Sequence, residues 1–162
     1  MSTANIGRIP AASGNDIGFY VENNGSGDAM SIGSGATAQV RYSLINWNYG
    51  SGYDTGTNRF YAPVDGIYQF NVNYMVTSYT GPDSERWDSG MRLNGSAYIF
   101  YTLREWSAMN AFRAWNFTTC AKMTQGQYMD VIIVNQTATT RALYAGTQYT
   151  NWSGALLSAV QF

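Results

Sequence analysis

The chain has 162 residues and a formal net charge of −1, with 12% charged and 15% aromatic side chains. A domain of this size buries roughly 70% of the surface its unfolded chain would expose, so one core is expected and two would be cramped. Eight scattered arginines and a single lysine form no basic patch for phosphates, and the absence of any histidine excludes Ser-His-Asp and Cys-His nucleophiles and every His-containing metal site.

No apolar run reaches the roughly 18 residues that a membrane helix needs. The opening MSTANIGRIP lacks a charged-then-apolar leader, so no export signal is expected. Residues 1–16 show no periodicity and contain Gly7, Pro10 and Gly14, which reads as an arm or linker ahead of a domain over 17–162. A short strand is expected at 17–21. NNGSGD and SIGSGAT, residues 23–28 and 31–37, then form a Gly/Ser-rich connection. Ala38, Val40, Tyr42 and Leu44 alternate with Gln39, Arg41 and Ser43, the period of a strand with one buried face.

The stretch 59-RFYAPVDGIYQFNVNYMV-76 reads as strand, corner and longer strand, in which Tyr68, Phe70, Val72, Tyr74 and Val76 alternate with Gln69, Asn71, Asn73 and Met75. A polar loop, TSYTGPDSERWDS, precedes two short strands joined at Asn94-Gly95, a dipeptide that tolerates the positive φ of a two-residue hairpin turn. Only TLREWSAMNAF, residues 102–112, has any helical character, and its apolar spacing is irregular. Residues 111–123 and 128–134 read as strands around a turn at Gln125-Gly126, and 154–162 as the last one. Cys120, the single cysteine, sits in strand-like FTTCAKM and is expected to be buried and inert. Short strands at regular spacing argue a sandwich or barrel of eight to ten strands.

Phe60, five residues, then Gly66-x-Tyr68-x-Phe70, preceded by Asn48 and Tyr53, closely resembles the signature of the complement C1q globular-head family, which is related to tumour necrosis factor. Tyr42 stands where that family usually has Phe, and Val72 where an aromatic is usual. Met123-Thr-Gln-Gly126-Gln-Tyr-Met-Asp-Val131 and the ending YAGTQYTNWSGALLSAVQF extend the resemblance to the C-terminus, with Trp152-Ser-Gly154 in place of Phe-Ser-Gly. The resemblance implies an all-β, ten-stranded jelly-roll sandwich that assembles as a homotrimer. Tyr68, Phe70, Val72, Tyr74, Trp152 and Leu156 would then lie in the core or between subunits. It also implies that loops at 77–88, 104–110 and 136–149 crowd the end opposite the termini.

Those loops supply the candidate ligand residues: Tyr79, Asp83, Glu85, Trp87, Asp88, Trp106, Tyr144 and Tyr149. Aromatic rings among them could stack on sugars or anchor a protein interface. Asp83, Glu85 and Asp88 are the one set that could ligate Ca²⁺ or act as paired carboxylates, but they follow no calcium-loop pattern and sit in a Gly-Pro turn, so neither metal nor catalysis is expected. No cofactor and no enzymatic activity are expected. The Asn-x-Ser/Thr triplets beginning at Asn24, Asn94, Asn116, Asn135 and Asn151 arise readily in so Asn-, Ser- and Thr-rich a chain.

A Lys-poor, Tyr/Asn/Gly-rich trimer without a leader suggests a virion surface protein, a capsid decoration trimer or a fibre-like projection, docked on a capsid or tail protein through Ile6, Arg8, Ile9 and Pro10. The alternative is a fibre tip or secreted adhesin, extracellular, that reads host glycan or protein with its distal loops. A complement- or cytokine-like signalling ligand ranks below both, because no secretion signal is present. Nucleic acid and membrane insertion are excluded as partners on charge and hydropathy.

Overall fold

The computed structural model describes residues 16–23, 28–77, 85–106, 112–146 and 148–160. Among them are thirteen strands: β1 (Gly18–Glu22), β2 (Asp28–Ile32), β3 (Thr37–Gln39), β4 (Leu44–Tyr49), β5 (Tyr53–Asp54), β6 (Arg59–Tyr61), β7 (Gly66–Val76), β8 (Glu85–Leu93), β9 (Ala97–Trp106), β10 (Arg113–Met123), β11 (Tyr128–Asn135), β12 (Arg141–Tyr144) and β13 (Asn151–Ala159). Three of these have two or three residues, leaving ten of four or more. No described helix is long and apolar enough to cross a membrane.

The strands form two antiparallel sheets. A seven-stranded sheet runs β2-β12-β7-β13-β1-β4, with β10 also paired to β7, and a six-stranded sheet runs β5-β6-β11-β8-β9, with β3 paired to β11. Tyr68, Phe70, Val72, Tyr74 and Trp152 all project between the sheets and are buried. They belong to the hydrophobic core, and Leu156 packs partly buried against them. Phe19 stacks on Phe60 at 4.8 Å and meets Trp152 edge-on at the same centroid distance. Burying such rings is the largest apolar contribution that single residues can make.

The corner before β7 works by crowding. A Cβ on Gly66 would lie 2.8 Å from the Ser158 carbonyl oxygen and collide with Leu156, so β7 and β13 approach this closely only because the residue is glycine. Pro63 sits in the bend between β6 and β7, where no ladder donor is required. Asn48 of the signature is explained by its amide: it donates to the Tyr53 carbonyl at 2.9 Å and accepts from the Tyr53 amide at 3.1 Å, closing the β4–β5 turn. Asn94 and Gly95 both adopt positive φ, 52° and 74°, as their hairpin turn requires.

Several expectations change. The alternating run 38–44 breaks after β3: Val40 and Tyr42 are buried as the period demanded, but Tyr42 gives its amide to Asn58 Oδ1 instead of a neighbouring strand. The Gly/Ser-rich connection contains β2, whose backbone pairs with β12. Residues 102–106, the most helical in character, complete β9. Cys120 is exposed, because it falls on the outward parity of β10 opposite buried Ala121.

Phe60→Ala is expected to cost about 3–5 kcal/mol through lost burial and the cavity left in the aromatic cluster. Urea unfolding would read this as a lower midpoint at unchanged slope.

Candidate binding surfaces

The expected distal end is built by strand pairing. Val76, at the end of β7, pairs with Arg113 and Leu143, while Glu85 pairs with Trp106 and Asn135 with Trp87. The roots of the three expected loops therefore gather at one end. Ile6, Arg8, Ile9, Pro10, Tyr79 and Asp83 lie outside the described residues. Glu85 and Trp106 contribute described backbone only, as the first and last residues of β8 and β9.

Trp87 and Asp88 are not loop residues. The strand begins at Glu85, so Trp87 falls on its inward parity, fully buried 6.3 Å from the Trp115 ring centroid, and no ligand can stack on it. Asp88 has the outward parity but lies beneath other side chains. Arg86 Nε and Nη2 donate to its two oxygens at 3.0 and 3.3 Å, Tyr101 donates its hydroxyl at 2.7 Å, and Gln136 its amide at 3.3 Å. Burial pushes the Asp88 carboxyl up, but these donors outweigh it and hold the group below the usual carboxylate range. Recruiting it to Ca²⁺ would mean giving up that network, and no group of three described His, Cys, Asp or Glu side chains is placed to hold a metal.

Tyr144 and Tyr149 do come together, edge to face at 5.3 Å, and Phe112 extends the row at 5.1 Å from Tyr144. Phe112 and Tyr149 are both exposed. Phe112 went unnoticed in the sequence because it lay within the one segment with helical character; as an aromatic just ahead of β10 it could have been found by the strand reading alone.

Two outward sheet faces offer larger surfaces. On the seven-stranded sheet, the cross-strand row Thr118, Asn71, Ser153, Tyr20 and Trp47 lies beside the row Asn116, Asn73 and Asn151. Thr118 donates to Asn71, and Asn73 donates to Asn151 Oδ1 at 2.7 Å, giving a shallow amide-lined groove of about 450 Å³. From β1, β4, β7, β10 and β13, the outward side chains between Glu22 and Lys122 include no charge. The six-stranded sheet differs. Its outward side carries a bidentate ion pair from Arg92 to buried Asp130 at 2.9 and 2.8 Å, the Asp88 cluster, and Arg59 at 4.1 Å over the Tyr128 ring.

No protein-family model matches the chain, and no curated protein matches it in sequence. Solved structures do match in fold. The tumour necrosis factor Eiger from S. frugiperda superposes with a TM-score of 0.66 at 13% identity, covering 91% of this chain and 96% of that one. The globular domain of zebrafish complement 1qA superposes with a TM-score of 0.62 at 12% identity, covering 89% and 99%. The fold is a jelly-roll β-sandwich of the C1q/tumour necrosis factor type, as the Phe60-to-Phe70 signature implied.

The depressed Asp88 carboxyl sets a pH dependence. A group whose pKa is lowered by folding contributes stability above its unfolded value, about 3.9 for Asp, and loses that contribution as pH falls through the folded value. Asp88→Asn should therefore flatten the acid limb of a stability-versus-pH curve below about pH 4, measured by urea unfolding across the range.

Proposed function

We propose that the chain is a non-enzymatic surface protein that assembles as a homotrimer, a capsid decoration trimer or fibre-like projection of a virion held through its N-terminal arm. The observation that carries the assembly is the outward face of the seven-stranded sheet between Glu22 and Lys122. Those two charges stand at its margins, and the positions between them, about a quarter of which would be charged on an ordinary solvated surface, carry none. Asn, Thr, Ser and Tyr in their place, with Trp47 and Tyr49 exposed at the β4 margin, suit a face covered by another copy. Threefold closure is supported by the likeness of the fold to C1q and tumour necrosis factor domains, and attachment to a particle by the Lys-poor, Tyr/Asn/Gly-rich composition. The aromatic row Phe112, Tyr144 and Tyr149 favours the second reading, an extracellular fibre tip or adhesin that meets its receptor with the distal end.

Light scattering on the purified chain should give three times its 17.9 kDa mass. Asn71→Arg, which places a charge in the centre of the uncharged face, should reduce that to one chain while strand content is kept. A wild-type monomer at micromolar concentration would sink the assembly. Deleting residues 1–16 should leave the trimer intact and abolish co-sedimentation with particles; undiminished co-sedimentation would assign attachment elsewhere. Tyr149→Ala, with the trimer preserved, should lose binding to host cells if the distal-end reading is correct.

A further inference from the structure

The end of the sandwich that carries Asp16 is shaped by a corner and a bulge. Pro63, Val64 and Asp65 turn the chain from β6 into β7, and β13 runs beside them with one extra residue: Leu156 pairs with Tyr68 and Ser158 with Ile67, leaving Leu157 between. Such a bulge bends its strand. Past it the Val160 amide donates to the Asp65 carbonyl at 3.2 Å, which holds the strand end against the corner. On the other side Gly50, at φ 75°, lets the chain leaving β4 close on Ile17, where a Cβ would stand 3.0 Å from Cγ1.

Two hollows open between these segments, each of about 380 Å³. Asp16, Ile17, Pro63 and Leu156 wall the first, Asp65, Gln125 and Val160 the second, and Val64 and Ala159 belong to both, so the two form one trough. Its walls are largely apolar and partly open to solvent, Val64 being 36% exposed. The charged residues that line it are both acidic. Asp65 accepts the Gln125 amide on Oδ1 at 2.6 Å, and neither it nor Asp16 forms an ion pair with a described residue. Lys122, near the end of β10, faces Ile67 across the β7–β10 ladder and lines neither hollow.

Residues 1–15 join the domain at this trough, because Asp16 is part of its wall. Their chemistry is complementary to it. Arg8 is their one charged side chain, and Ile6, Ile9 and Pro10 stand within two residues of it. The intervening 11-AASGN-15 offers Ser-Gly-Asn, residues suited to a reversal of the chain. Six residues from Asp16 back to Pro10 span at most about 20 Å, so the segment can double back over the trough. A tethered segment meets its site at high effective concentration, and modest contacts are enough to seat it.

We propose that residues 6–10 dock in this trough of their own domain, with Ile9 and Pro10 against Ile17, Pro63 and Leu156, Arg8 on Asp65, and Ile6 in the second hollow. Attachment to a particle through the same residues would first require drawing them out, so the docked arm acts as a latch. The docking rests on the trough and the sequence alone and stands whether or not a particle is the target.

A Cys120→Ser background removes the exposed thiol. In it, Ile9→Cys with Val64→Cys should close a disulfide within one chain under mild oxidation, read by non-reducing electrophoresis and mass spectrometry as a bridged single chain. Ser2→Cys with Val64→Cys should bridge about tenfold more slowly. Hydrogen exchange on the full chain gives a second readout. Ile9→Asp, which sets a carboxylate among apolar walls beside Asp16 and Asp65, should speed exchange over residues 62–66 and 157–160 by about tenfold; Arg8→Glu should do the same and Arg8→Lys should not. Equal bridging in the two double variants, no bridge, bridges only between chains, which would give the trough to a neighbouring copy's arm, or exchange unchanged by Ile9→Asp would each overturn the proposal.

Discussion

The structure depends on two sheets being held at one spacing by aromatic rings that meet in the middle. Phe19 from β1, Phe60 from β6, Phe70 from β7 and Trp152 from β13 converge there, with Tyr53 closing the cluster against Trp152 at 5.7 Å. Rings this large fit only where the backbone yields, as it does at Gly154: a Cβ there would stand 2.6 Å from Phe70 and 2.7 Å from Phe19. The Trp152-Ser-Gly154 segment therefore works as one unit, a bulky side chain inward and an empty place two residues on. Its register against Val72 and Phe70 fixes β13 on β7, and so fixes which residues of the seven-stranded sheet face solvent.

From that register the uncharged outward face follows without further choice. Asn71, Asn73 and Asn116 are outward because Val72, Tyr74 and Phe117 are inward, and a strand can offer only one set to each side. The Asn-x-Ser/Thr triplet at Asn116 is a consequence of the same alternation, since Thr118 is the next outward position and hydrogen-bonds to Asn71. The triplet at Asn151 likewise places Asn151 in a hydrogen bond with Asn73, a cross-strand amide pair beside Glu22, which faces Asn151 across the β1–β13 ladder.

The parts of the fold legible in the sequence were those decided within one strand. Alternation from Tyr68 to Val76, positive φ at Asn94-Gly95 and the spacing of Asn48, Phe60, Gly66 and Phe70 all carry their meaning locally. Features decided by a pairing partner were not legible. Trp87 looked like a loop aromatic because nothing in TSYTGPDSERWDS shows that strand begins at Glu85; that boundary is set by Trp106 across the ladder. Cys120 looked buried because FTTCAKM is apolar enough for either face, and the parity is fixed by the Gln69 it pairs with. The bulge in β9 is the sharpest case: no property of AYIFYTLREW singles out Ile99 as the unpaired residue, since the shift arises from how β8 meets β9.

The two outward faces consequently differ in kind. On the seven-stranded sheet, polarity is supplied by amides and hydroxyls that satisfy one another, and such a surface loses little when water is replaced by a second protein surface of the same character. On the six-stranded sheet, Asp88 and Asp130 are buried under arginines, and covering those guanidinium groups as well would strip water from charges that now keep it. Association through the first face and exposure of the second is therefore the arrangement with the smaller electrostatic penalty.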